Sequence, residues 1–156
     1  MPKTFIRRAA AGDFTTLLEI DRASFPPGVA YESDELSYFM SRSGAETIVL
    51  ERDGEIAAFL IFEMDPRRKT AILITVDVRK EFQRCGYGTQ LMKQSEEMLA
   101  TQGIHTYQLQ VDVENAAAIA FYLKHGFQHI RLLKNYYANG HDAHLMVKTL
   151  RVNGGM

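Results

Sequence analysis

The chain has 156 residues, with 18 Lys and Arg against 19 Asp and Glu, a net charge of -1 and 46% hydrophobic residues, which suits one globular domain of the usual size, about 100–150 residues, rather than two. The near-zero charge excludes a protein that coats nucleic acid, because neutralising phosphates takes a clustered basic excess, and no direct nucleic-acid binding is expected. The longest apolar run, Ala116 to Leu123, is eight residues, far below the roughly 20 that cross a bilayer. Met1 to Arg8 shows no apolar stretch of signal-peptide length, and the lone Cys85 cannot close an internal disulfide, so a reducing cytoplasm is the expected setting.

Thr4 to Arg8 reads as a first strand. Gly12-Asp13 opens an amphipathic stretch with Phe14, Leu17, Leu18 and Phe25 near helical spacing, and Pro26-Pro27-Gly28 must break it into a loop reaching Tyr31. Ser33-Asp34-Glu35 is predicted to cap a second short helix. Thr47 to Glu51 and Glu55 to Met64 are strand-like runs joined at Asp53-Gly54, a preferred dipeptide for a tight hairpin, and Asp65-Pro66 turns into a β-branched run from Thr70 to Val78. The period then changes. Leu91, Met92, Ser95, Met98 and Leu99 share one helical face after Gly86-Tyr87-Gly88, and Gly103 stops that helix. Thr106 to Val113 is a strand, Asn115 caps a helix to His125 that Gly126 closes, and Phe127 to Tyr137 and Ala143 to Lys148 are predicted strands around a turn at 138–142. The order βααβββαβαββ implies a mixed α/β domain over residues 1–150 with a C-terminal tail at 151–156.

Gln83-Arg84-Cys85-Gly86-Tyr87-Gly88-Thr89 lies between a strand and a helix, where free backbone N–H groups and the helix dipole can hold a phosphate. A Walker loop would need Gly-Lys-Ser/Thr at its end, and a dinucleotide fingerprint would need a third glycine where Leu91 stands, so neither standard nucleotide loop applies. Leu109-Gln110-Val111, then Asn115-Ala116-Ala117-Ala118-Ile119-Ala120-Phe121-Tyr122, then Gly126-Phe127 follow one helix later. Together these segments resemble the GNAT acetyltransferase superfamily, whose acyl-CoA motif has the form Gln/Arg-x-x-Gly-x-Gly/Ala. The stretch Lys134 to Met146 is similar to the end of RimI-type ribosomal-protein N-terminal acetyltransferases and of eukaryotic and archaeal N-terminal acetyltransferases.

The resemblance implies a single domain whose mixed, mostly antiparallel sheet is splayed between its fourth and fifth strands and flanked by about four helices. It implies acetyl-CoA as cosubstrate and no metal. Backbone N–H groups around Gly86 and Gly88 would cradle its pyrophosphate, with Gln83, Cys85, Tyr87 and Thr89 in the same loop. Val76 and Val78 would offer main-chain groups to the acetyl carbonyl and pantetheine arm, fixed dipoles suited to an oxyanion hole. A bulge is the device expected to part the strands. Arg84 is either a partner for a CoA phosphate or a solvated charge, and Asn115 both a helix cap and a cofactor contact. Tyr122 would protonate the departing thiolate, a transfer open to a phenol of pKa about 10 facing a thiol of about 8.5; otherwise it packs on the sheet. Cys85 as a covalent acyl carrier is rejected, because direct attack by the amine needs no such intermediate.

Phe25, Pro26 and Tyr31 would form one wall of a peptide groove, Tyr136 and Tyr137 the other, with Gln110 beside the acceptor, although Pro27-Gly28-Val29-Ala30 is longer than the common spacing. Such aromatics are otherwise ordinary core. A general base is missing: the family often carries Glu or His where Gln110 stands, and some members Tyr where Phe82 stands. An α-amine of pKa about 8 tolerates a weak, water-relayed base better than a lysine of about 10.4 does. Asp77, Glu114 or Glu32 can anchor that relay, and the sequence does not choose among them. His141-x-x-His144 with Asp142 reads as a fortuitous cluster on a hairpin, and the short basic patches Arg67-Arg68-Lys69 and Arg79-Lys80 as solvated turn charges.

The expected function is therefore acetyl transfer from acetyl-CoA to a primary amine by direct attack. The acceptor is a protein N-terminus, a ribosomal protein being one candidate, or a small-molecule amine. The remaining alternative is an acyl-CoA-binding regulatory module without catalysis. A monomer or homodimer is expected.

Overall fold

Apolar residues on both faces of the middle strands build this domain. The computed structural model describes residues 1–151, and the rest of the tail expected at 151–156 lies outside the described residues. The elements are β1 (Thr4–Arg8), α1 (Phe14–Ser24), α2 (Ser33–Ser41), β2 (Ala45–Arg52), β3 (Glu55–Asp65), β4 (Thr70–Val78), α3 (Tyr87–Thr101), β5 (Thr106–Asp112), α4 (Ala116–Lys124), β6 (Gln128–Leu133) and β7 (Ala143–Thr149). They form one sheet in the order β1-β2-β3-β4-β5-β7-β6, antiparallel throughout except for the parallel β4–β5 pair. The mixed sheet and the helices are those the resemblance implies.

Successive side chains of a strand point to opposite faces, and β2 and β3 serve both faces with unbroken apolar runs from Ile48 to Leu50 and from Ile56 to Phe62. Ile48, Leu50, Leu60 and Phe62 pack with Leu91, Leu99, Tyr107 and Tyr122 beneath α3 and α4. Val49, Phe59 and Ile61 pack with Leu17, Ile20 and Leu36 beneath α1 and α2. Two apolar layers thus clamp the sheet from both sides. Arg7 fastens the edge, pairing with Asp13 at 2.8 Å and with Glu51 across the β1–β2 ladder.

Two expectations need correction. Glu32, not Ser33, is the N-cap of α2, because Glu35 Oε1 reaches back to accept the Glu32 N–H at 3.0 Å and starts the helix there. The strand predicted over Phe127 to Tyr137 ends at Leu133. Asn135 adopts φ +51 and its N–H donates to Asp142 Oδ1 at 2.8 Å, so the chain turns early and Tyr136 and Tyr137 ride on the connection to β7.

Candidate active site

β4 and β5 pair only from Thr70–Thr106 to Leu73–Leu109. The next residue, Ile74, is extra: on β3, Phe62 faces Leu73 and Ile61 faces Thr75, leaving Ile74 without an opposite number. Such a bulge bends its strand and increases the local twist, and here β4 leaves β5 at that point. It also exchanges the faces of everything after it. Leu73 lies in the layer beneath α3, but Thr75 and Asp77 lie opposite Ile61 and Phe59, in the layer beneath α1, while Val76 and Val78 return to the α3 side. The Arg79 N–H donates to Ala57 O at 2.9 Å, so alternation turns the N–H groups of Val76 and Val78 toward the gap.

The gap opens into a cleft of about 730 Å³ that passes between the two strands. On the α3 side its rim is the loop 83–87, where Arg84 (φ +66) and Gly86 (φ +82) take left-handed backbone and lead into the first turn of α3, whose N–H groups have no partner within the helix. Gly88 must be small: a Cβ there would stand 3.3 Å from Phe121 Cζ and 3.7 Å from Val78 Cγ2. Tyr87 is buried, with its hydroxyl 3.3 Å from Arg52 Nη1, and the Arg52 guanidinium lies 4.5 Å over the Phe82 ring. Thr89 Oγ1 meets His125 Nε2 at 3.0 Å, and burial followed by Lys148 holds that imidazole below its usual range. Asn115 caps α4, its Oδ1 accepting the Ala118 N–H at 3.1 Å.

Tyr122 projects from α4 into the same cleft, its ring edge-on to Phe121 and Phe127 at 5.5 and 5.8 Å. Burial, then Asp77 and Tyr137, push its hydroxyl well above the phenol range, so it stays protonated and able to donate. On the α1 side, Phe25, Tyr31, Gln110, Tyr136 and Tyr137 line the wall. The two loops of that wall touch where Gly28, at φ +87, leaves only 2.8 Å between an added Cβ and Asn139 N. The connection from β6 is tied down by His141, whose Nδ1 lies 2.8 Å from Asp112 Oδ2, the main cause that raises its pKa.

Of the residues singled out in the sequence, Val76, Val78, Gln83, Arg84, Gly86, Tyr87, Gly88, Thr89, Asn115, Tyr122, Phe25, Tyr31, Gln110, Tyr136 and Tyr137 surround this one cleft, whereas Cys85 and Pro26 are exposed and stand outside its lining. Of the three carboxylates left open, Asp77 lines the cleft and Glu32 and Glu114 do not. Sequence reasoning missed Asp21, which is fully buried and faces Asp77. Its signal is faint: a carboxylate at a position where α1 otherwise shows core spacing with Leu17 and Ile20.

No helix among the described residues is long and apolar enough to cross a membrane. The acetyltransferase (GNAT) family matches residues 14–127. An N-alpha-acetyltransferase of Sulfurisphaera tokodaii is 28% identical over 93% of this chain and 92% of its own. The ribosomal protein bS18-alanine N-acetyltransferase of Salmonella typhimurium is 39% identical over 60% of this chain and 63% of its own. The crystal structure of the ribosomal-protein-S18-alanine N-acetyltransferase from Escherichia coli superposes with a TM-score of 0.83 at 26% identity, covering 96% of both chains. With the splayed strands, the glycine cradle and these relatives in agreement, the chain belongs to the acetyltransferase (GNAT) family and is an N-acetyltransferase.

Proposed function

We propose that this enzyme transfers the acetyl group of acetyl-CoA to the α-amine of a protein N-terminus, with a ribosomal protein among the candidate acceptors. The observation that carries the reading is the passage through the sheet: an N–H-rich rim on the α3 side and an aromatic-walled groove on the α1 side meet at the unpaired edge of β4. The names of the relatives point the same way. The cradle suits the donor, because it offers unpaired N–H groups and the start of a 15-residue helix to a pyrophosphate, and the absence of a Cβ at Gly88 keeps it open.

Acetyl-CoA supplies the acetyl group as a thioester. The loop 83–87 and the first turn of α3 hold its phosphates. The Val76 and Val78 N–H groups donate to the carbonyl oxygen, where they are already oriented for the charge that develops in attack. Tyr122 gives its proton to the departing sulfur. The groove accepts a chain end of which the first residue reaches Gln110. An α-amine, with a pKa of about 8, is about a tenth deprotonated at neutral pH, whereas lysine is deprotonated far less, so the site favours the former.

Incubation with acetyl-CoA and a panel of N-terminal peptides, polyamines and amino acids, read by free-thiol release and mass spectrometry, tests this. Release with peptides, and acetyl mass on the α-amine, is expected. Release with polyamines or amino acids alone would replace it with the small-amine reading, and binding of acetyl-CoA without release from any acceptor would leave a regulatory module.

A further inference from the structure

The acceptor amine needs a group to take its proton, and neither Gln110 nor Phe82 can do so. Two carboxyls stand on the α1 side of the same cleft, Asp21 of α1 and Asp77 of β4, with 0% and 2% of their surface exposed. Each has one oxygen satisfied: Tyr31 N–H donates to Asp21 Oδ2 at 2.7 Å, and Thr75 Oγ1 to Asp77 Oδ1 at 2.5 Å. The other two oxygens, Asp21 Oδ1 and Asp77 Oδ2, have no donor, and the two side chains are within hydrogen-bond reach of each other.

Two buried carboxylates in contact cannot both be ionised, and one proton between them satisfies both orphan oxygens and leaves a single negative charge. The groups facing the pair are Glu35 from α2, Tyr31 from the loop after α1, Tyr122 from α4 and, through those tyrosines, Tyr137 from the β6–β7 connection. None is a cation. Burial, then Asp21, holds Asp77 well above the ordinary carboxylate range, and burial raises Asp21 too. A structural role is a poor reason for the pair, because apolar residues of that volume fill such a site at least as stably. An incoming ammonium would supply the missing cation.

We propose that Asp21 and Asp77 act as one proton-sharing pair that binds the acceptor's ammonium and takes the proton it must lose before attack. The proposal rests on the N-terminal acetyltransferase reading above. The ammonium passes one proton to the pair, leaving both carboxyls neutral. The amine lone pair then forms the C–N bond while the C–S bond breaks with its electrons on sulfur. Tyr122 protonates that sulfur, and the second proton of the nitrogen restores the Tyr122 hydroxyl. The pair finally releases its proton to solvent, so the products are an amide, a free thiol and one proton.

Asp77→Asn and Asp21→Asn keep the shape of the site, and thermal unfolding with CoA titration verifies folding and the donor side. Asp77→Asn should lower kcat/KM for a peptide with a free α-amine by about 100-fold at neutral pH, with CoA affinity unchanged. The loss should shrink as pH rises past about 8, where the amine deprotonates unaided. Asp21→Asn removes a like charge and should move the acid limb of the profile to lower pH. No loss in Asp77→Asn, or an equal loss at every pH, overturns the proposal. Calorimetry on the CoA-loaded protein gives a readout without turnover: a hexapeptide with a free α-amine should bind about tenfold tighter than its des-amino analogue, and Asp77→Asn should abolish that preference. If the wild type shows the preference yet acetylates nothing, the transferase reading fails and the pair stands as the ammonium site. If it acetylates peptides without the preference, the pair fails and the reading stands.

Discussion

The hydroxyl of Tyr31 donates to the carbonyl of Ile74 at 3.3 Å while its own N–H donates to Asp21. One residue of the loop after α1 is therefore held at both ends, by the carboxyl of α1 and by the extra residue that parts β4 from β5. Tyr31→Phe removes only the hydroxyl. A neutral hydrogen bond contributes about 0.5–1.5 kcal/mol, so the KM for the acceptor should rise about 2- to 10-fold while that for acetyl-CoA holds. Steady-state kinetics with each substrate varied in turn measures this; a shift in acetyl-CoA KM alone would contradict the placement of Tyr31 on the acceptor side.

Tyr122→Phe keeps the edge-on packing against Phe121 and Phe127 but removes the hydroxyl proposed as the proton donor. Removing a general acid costs about 100-fold or more in kcat, and CoA affinity should stay as it is. Thiol release and calorimetry on the same preparation decide the point, and an unchanged kcat would take Tyr122 out of the chemistry.

Gly88→Ala sets a methyl 3.3 Å from Phe121 Cζ at the mouth of the cradle. Alanine in place of glycine favours a helix by about 1 kcal/mol, which offsets the crowding, so the melting temperature should change little. The added group should narrow the donor side and weaken CoA binding without altering acceptor KM. Thermal unfolding and CoA titration together test the separation.

His141→Ala loosens the connection that carries Tyr136 and Tyr137, because it removes the contact with Asp112 Oδ2. The hydrogen bond raises the folded-state pKa of His141. A raised histidine contributes stability that is complete below its unfolded value of about 6.5 and is lost as pH rises through the folded value. The melting temperature should thus drop more for the variant at mildly acidic than at alkaline pH, and an equal drop at both would remove the ionic part of the contact.

The order of the elements is legible because residues with one physical use punctuate them. Asp53-Gly54 takes positive φ at both positions of the hairpin, Gly103 and Gly126 follow α3 and α4, and Asn115 caps α4 as read. A bulge in β4 is also foreseeable, but not its position: Ile74 is β-branched and apolar like Ile72, and nothing in its chemistry marks it as the extra residue. Counting alternation from Leu73 therefore puts Asp77 on the wrong face, away from Asp21. Asp21 is harder still, since it stands beside Arg22 on an amphipathic helix, where a carboxylate ordinarily meets water. The two tyrosines of the last connection are misread as strand because aromatic residues favour strands, and the turn is set instead by the side chain of Asp142, seven residues from the amide it accepts.

The last strand in the chain is not the last in the sheet: β7 lies between β5 and β6. As the chain is synthesised, β2, β3 and β4 can close as hairpins on one another, but β5 lacks its antiparallel neighbour and β6 has none until residues 143–149 have emerged. Gln110, the helix that bears Tyr122 and the connection with Tyr137 all hang on those strands. The loop 83–87 and the wall of Phe25 and Tyr31 can thus take shape early in translation, while Gln110, Tyr122 and Tyr137 are fixed in place only once residues 143–149 have emerged. A nascent chain of this topology cannot complete the walls of its cleft until β7 is in place.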